Sequence, residues 1–123
     1  MSKKTSFLDE PLPDNGKRHL RIIITDSNDD NEFLTVPVDT LRSRFQDKSC
    51  LIQPNEHNFI KEQSFVNYKY ARVLNFATVF NGLQKGILIK KEDISTELLK
   101  RIQNGAKVSK QLDIKFQEWF NLF

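Results

Sequence analysis

Residues 20–38 read LRIIITDSNDDNEFLTVPV, and this stretch decides the fold class. Leu20, Ile22, Ile23 and Ile24 form a short β-branched run ending at Thr25, the composition of a buried strand. Asp26-Ser27-Asn28-Asp29-Asp30-Asn31 cannot extend it and reads as a turn. Phe33, Leu34, Val36 and Val38 then resume extended character, with Pro37 marking an edge position or a bulge. The result is a hairpin with a long acidic loop. That loop lacks the glycine and closing glutamate of a calcium site, so its carboxylates read as a solvated tip.

Working outward, Thr40 to Lys48 is polar apart from Leu41 and Phe45, whose spacing suits a single helical turn packing inward. Cys50, Leu51 and Ile52 make another short apolar run, stopped by Pro54-Asn55. Ser64 to Leu74 reads as one strand with Val66, Tyr68 and Tyr70 on one side and Asn67 and Lys69 on the other. Ile87 to Ile89 gives a further strand. The C-terminal end is helical. Ser95 can cap a helix with Glu97 in its first turn, an apolar stripe of Leu98, Leu99 and Ile102, and Gly105 as its stop. A second helix is expected from about Leu112 to Leu122, with Leu112, Phe116, Trp119, Phe120 and Phe123 on one face, turned to the core or to an oligomer contact.

Upstream, residues 1–17 read as a flexible tail, because Pro11, Pro13 and the breaker cluster Asp14-Asn15-Gly16 sit among charges that cancel. The expected organisation is therefore a single compact α+β domain over residues 18–123. It would be a small curled antiparallel sheet or SH3-like β-barrel with two C-terminal helices.

The 123 residues are 38% apolar and 28% charged, enough for one core and incompatible with disorder throughout. Nineteen Lys and Arg against 16 Asp and Glu leave +3, which permits a polyanionic partner without demanding one. Cys50 is the only cysteine, so no internal disulfide forms and a reducing compartment is expected. No run approaches the roughly 20 apolar residues of a membrane span, and Met1 to Phe7 lacks the apolar core of a signal peptide. The expectation is a cytoplasmic protein without membrane contact. Scattered glycines exclude a phosphate loop, and one Cys with two His cannot close a zinc site, so neither cofactor nor metal is expected.

The most informative segment for chemistry is Gln53 to Tyr70. Within it Glu56, His57, Lys61 and Ser64 bring acid, base, cation and hydroxyl close together, and Tyr68 offers a donor or a stacking surface. The plainer reading has His57 bracing the loop while Phe59 and Ile60 plug the core. The basic residues, Arg18, Arg42, Lys61 and Arg72 among them, are spread along the chain. A fold can gather some of them for phosphate contacts, although such spreading is also that of an ordinary solvated surface.

Several short motifs follow one another in a telling order. Gly16-Lys17-Arg18-His19 precedes the first apolar run, Val36-Pro37-Val38-Asp39-Thr40 closes the second, Ser64 opens a strand reaching Arg72, and Ser95-Thr96-Glu97-Leu98-Leu99 opens the helical end. From about Gly16 to Gly105 this order resembles the MazF/PemK family of small bacterial toxins, which are SH3-like barrels with C-terminal helices. His19 stands where the family has proline, and Thr40 lies one place beyond the family's threonine. The resemblance implies a toxin-like endoribonuclease that cleaves single-stranded RNA without a metal, the RNA's own 2′-hydroxyl attacking the adjacent phosphate. Arg18 would take the place of the family's arginine and Thr40 that of its hydroxyl. His57 joins them as base or acid on its own chemistry. Lys61, Ser64, Tyr68 and Arg72 would contact the RNA. The partners implied are an antitoxin protein, single-stranded RNA and a second copy in a homodimer. The residues alone leave open a non-catalytic binding module of the same fold that engages a protein or RNA.

Overall fold

Alternation along β2 (Leu20–Ile23) and β3 (Glu32–Thr40) sends apolar side chains to both faces of a sheet, and this two-sidedness sets the architecture. Leu20, Ile22, Leu34, Val36 and Val38 enter the main core, whereas Ile23 and Phe33 join a smaller cluster. The computed structural model describes residues 1–123. The other strands are β1 (Ser6–Leu8), β4 (Leu51–Ile52), β5 (Ser64–Val66), β6 (Arg72–Asn75) and β7 (Ile89–Lys91). Helices α1 (Phe76–Gln84) and α2 (Thr96–Val108) and two 3-10 helices, Tyr68–Tyr70 and Ile114–Leu122, complete the chain.

The seven strands form one antiparallel sheet, six of them in the order β4-β5-β3-β2-β1-β7 and β6 off this path, paired to β3. Strand β3 organises it. One edge pairs with β2, while the other is shared end to end by β5, opposite Val38–Thr40, and β6, opposite Glu32–Thr35. The fold is α+β and the sheet is open and uncurled, with β4 and β7 at its edges and unpaired to each other. The main core lies between one face and α2, where Leu98, Leu99, Ile102 and Ala106 meet Trp119 of the second 3-10 helix. On the other face, Val79 of α1 packs with Phe7, Ile23, Phe33 and Leu88.

Several expectations need correction. Residues 1–17 are not a tail and the domain does not begin at residue 18. Strand β1 lies inside the sheet between β2 and β7, and Phe7 is fully buried. Pairing on both edges supplies what the segment's own composition lacks. The strand expected from Ser64 to Leu74 is broken by the 3-10 turn at Tyr68–Tyr70, which points Tyr68 inward and Tyr70 outward. Phe45 is 84% exposed, and Thr40–Lys48 holds no inward-packing helical turn. Gly105 lies inside α2, which runs on to Val108. It is there for space: a Cβ would collide with the Tyr68 hydroxyl and come within 3.0 Å of the Cys50 Cβ and the Ser49 carbonyl. The last helix is 3-10 throughout.

Candidate functional site

A cavity of about 600 Å³ opens where the loop before β2 meets the end of β3 and the segment leading into β5. Asp39 and Thr40 reach it from β3, where they lie opposite Phe65 and Ser64. Arg18 and His19 reach it from the loop, and Lys61 and Ser64 from the far wall. Lys17, Arg18, Arg42 and Lys61 face only the carboxylates of Asp39 and Glu62, so the lining is net positive.

The His19 and Asp39 side chains, both lining the cavity, are paired. His19 Nε2 lies 2.8 Å from Asp39 Oδ1, while Asn67 Nδ2 donates to Asp39 Oδ2 at 2.7 Å. Backbone bonds hold both ends of this chain of groups: Asp9 N–H donates to the His19 carbonyl, and Asn67 N–H donates to that of Pro37. A carboxylate at Nε2 fixes the ring's orientation, and Nδ1 makes no hydrogen bond within the protein. Arg18 is anchored through Nη1, which donates to the carbonyls of Ile87 at 2.8 Å and Asp9 at 3.3 Å. Ser64 is buried and its hydroxyl donates to the Glu62 carbonyl at 2.9 Å, so it shapes the wall rather than offering a free hydroxyl.

The cavity thus brings together Arg18, Thr40, Lys61 and Ser64 of the residues singled out in the sequence. The other three stand elsewhere. His57 is 2% exposed, its Nε2 lies 3.0 Å from both the Ser6 hydroxyl and the Glu92 carbonyl, and its Nδ1 accepts from Phe59 N–H at 3.0 Å. Both nitrogens are used in tying β1, the 53–61 loop and the chain after β7 together, so the ring braces the fold. The same loop is docked on α2 by Glu56, whose carboxyl is held below its ordinary range chiefly by hydrogen bonding to Arg101. Tyr68 is fully buried with its hydroxyl donating to the Ile102 carbonyl at 2.6 Å, and burial pushes that hydroxyl's pKa far up. It presents no face to a base.

Arg72 belongs to a different cluster. Its Nη2 donates to Asp9 Oδ2 at 2.7 Å, and the buried Arg21 donates through Nε to the same oxygen at 2.9 Å. Arg21 also donates to Thr35 Oγ1 at 2.9 Å and to the Tyr70 carbonyl, fixing the 3-10 turn. Burial lowers the Arg21 pKa, Arg72 adds to the fall, and Asp9 opposes both. This is a buried ion pair with a structural task.

The sequence reading missed His19 as a chemical group, along with Asp39 and Asn67. The proximity of His19 to Arg18 was visible, but no local signal joins Asp39 to an asparagine 28 residues on. Comparison with protein-family models and with curated proteins finds no match.

Proposed function

We propose that this protein is a toxin-like endoribonuclease that cleaves single-stranded RNA without a metal, at the cavity holding Arg18, His19, Asp39 and Thr40. The observation that carries the reading is the His19–Asp39 pair, 2.8 Å apart in a cavity with a surplus of cations. His19 Nδ1 takes the proton of the RNA 2′-hydroxyl, whose oxygen bonds to the adjacent phosphorus as the bond from phosphorus to the 5′-oxygen breaks. The products are a 2′,3′-cyclic phosphate and a 5′-hydroxyl, the leaving oxygen taking its proton from solvent. Asp39, held by Asn67, orients the ring. Arg18 and Lys61 compensate the charge that builds at phosphorus, and Thr40 donates to a non-bridging oxygen. In keeping with the family resemblance, a protein partner that covers the cavity silences the enzyme.

Single-turnover cleavage of a labelled oligoribonucleotide tests the assignment. His19→Ala is expected to slow the reaction by roughly 10²–10⁴-fold, the usual contribution of a positioned base, with a cyclic phosphate on the wild-type product. A His19→Ala rate equal to wild type sinks the catalytic assignment. Wild-type protein that binds RNA but leaves it intact points instead to a non-catalytic binding module.

A further inference from the structure

A second groove, of about 510 Å³, adjoins the first, and Gln46 lines both. Asn67 lines this groove while its amide holds Asp39 in the neighbouring cavity. Two large rings stand in the groove with little protein around them: Phe45, 84% exposed, and Tyr70, 56% exposed. Each has a cation over its face, Arg44 at 5.0 Å from the Phe45 centroid and Lys69 at 5.7 Å from that of Tyr70. Lys110 adds a further positive charge. The one carboxylate present, Asp47, already accepts from Ser49 N–H at 2.9 Å and from the hydroxyls of Ser49 and Ser109, both at 2.6 Å.

We infer that this groove is a subsite where the RNA strand continues past the cut, its bases stacking on Phe45 and Tyr70 and its phosphates meeting Arg44, Lys69 and Lys110. The inference rests on the proposed RNA chemistry and extends it. Separate rings, each paired with a cation, in a groove also lined by the amides of Gln46 and Asn67, match the alternation of base and phosphate in a single strand. A protein helix would instead need a continuous apolar strip. The Tyr70 ring is firmly presented, since buried Arg21 donates to its carbonyl and Tyr68 anchors the same turn in the core.

Fluorescence anisotropy with 2′-O-methyl oligouridylate, which cannot react, tests the subsite in a long form and as a dinucleotide. Wild type is expected to prefer the long form. Phe45→Ala and Tyr70→Ala are each expected to raise the long form's Kd by about tenfold, and Tyr70→Phe, which keeps the ring, is expected to restore binding. Lys69→Ala is expected to flatten the salt dependence by roughly one ion. Unchanged thermal midpoints check that these surface variants fold. If the Phe45→Ala Tyr70→Ala pair keeps the wild-type preference for length while His19→Ala still slows cleavage, the subsite is refuted and the catalytic reading stands. If wild type binds neither oligonucleotide, both fall.

Discussion

Replacing Gly105 with alanine sets two effects against each other, and the structure decides between them. In an exposed helix interior, Gly→Ala stabilises by about 1 kcal/mol through backbone entropy. Gly105 is not exposed. Its missing Cβ would fall on the Tyr68 hydroxyl, with the Cys50 Cβ and the Ser49 carbonyl each 3.0 Å away. The hydroxyl cannot swing aside freely, because it is buried and donates to the Ile102 carbonyl at 2.6 Å. Overpacking a tight core costs about 1–3 kcal/mol, and breaking a buried hydrogen bond costs about 1–3 kcal/mol more. Setting the helix gain against these leaves a net loss of about 1–5 kcal/mol, whose middle corresponds to roughly 10 °C in thermal midpoint for a domain of this size. Urea unfolding followed by circular dichroism gives the value directly. In a Tyr68→Phe background the obstructing atom is gone, so the same substitution should cost about 1–2 kcal/mol less. A Gly105→Ala protein as stable as wild type, or more so, would refute the account of why glycine stands inside α2.

Three further outcomes are expected. Asp9→Ala leaves buried Arg21 without its carboxylate and should destabilise by about 3 kcal/mol in chemical unfolding, whereas Arg72→Ala removes a solvated partner and should cost under about 1 kcal/mol. Equal losses would contradict the buried-pair reading. His57→Ala should lower stability by about 2–4 kcal/mol, while the protein that remains folded cleaves RNA at close to the wild-type rate; a slowed reaction in fully folded protein would return this ring to the chemistry. Burial pushes the Cys50 thiol up from 9.0 to about 11. Its share of stability is therefore complete below pH 9.0 and lost as pH rises toward about 11. Native protein at neutral pH should resist a thiol-alkylating reagent that modifies the unfolded chain quickly, and rapid native labelling would overturn this.

The features legible in the sequence are those that rest on neighbours along the chain. The β2–β3 hairpin follows from its β-branched runs, and Ser95 caps α2 as its position suggests, accepting from Leu98 N–H at 3.0 Å. Trp119 sits in the core, where an aromatic helix face belongs. Helix α1 was missed, although Phe76, Val79, Phe80 and Leu83 follow helical spacing and Asn75 caps them by accepting from Ala77 N–H at 2.8 Å. What was not legible depends on distant contacts. Strand β1 has three residues and exists because β2 and β7 pair with both its edges. Gly105 looks like a helix stop until Tyr68, 37 positions earlier, is seen to need its room. His57 has the composition of an acid–base group, and only its burial against Ser6 and Glu92 gives it a bracing role. The His19–Asp39–Asn67 chain joins three elements that no spacing rule connects.

The pairing of β1 with β7 sets Leu8 opposite Ile89. Strand β1 therefore waits for β7, the last strand of this sheet, before its second edge is satisfied. Contacts of such sequence separation make folding slow relative to a local hairpin, and until they form β1 offers an open edge to other chains. The loop bearing Arg18 and His19 leads out of β1, and its link to Asp9 N–H depends on that strand being in place. A chain interrupted before Lys91 would thus carry every residue of the cavity and still lack the order to use them. Synthesis itself becomes a timer, one that withholds the site until β7 has been made.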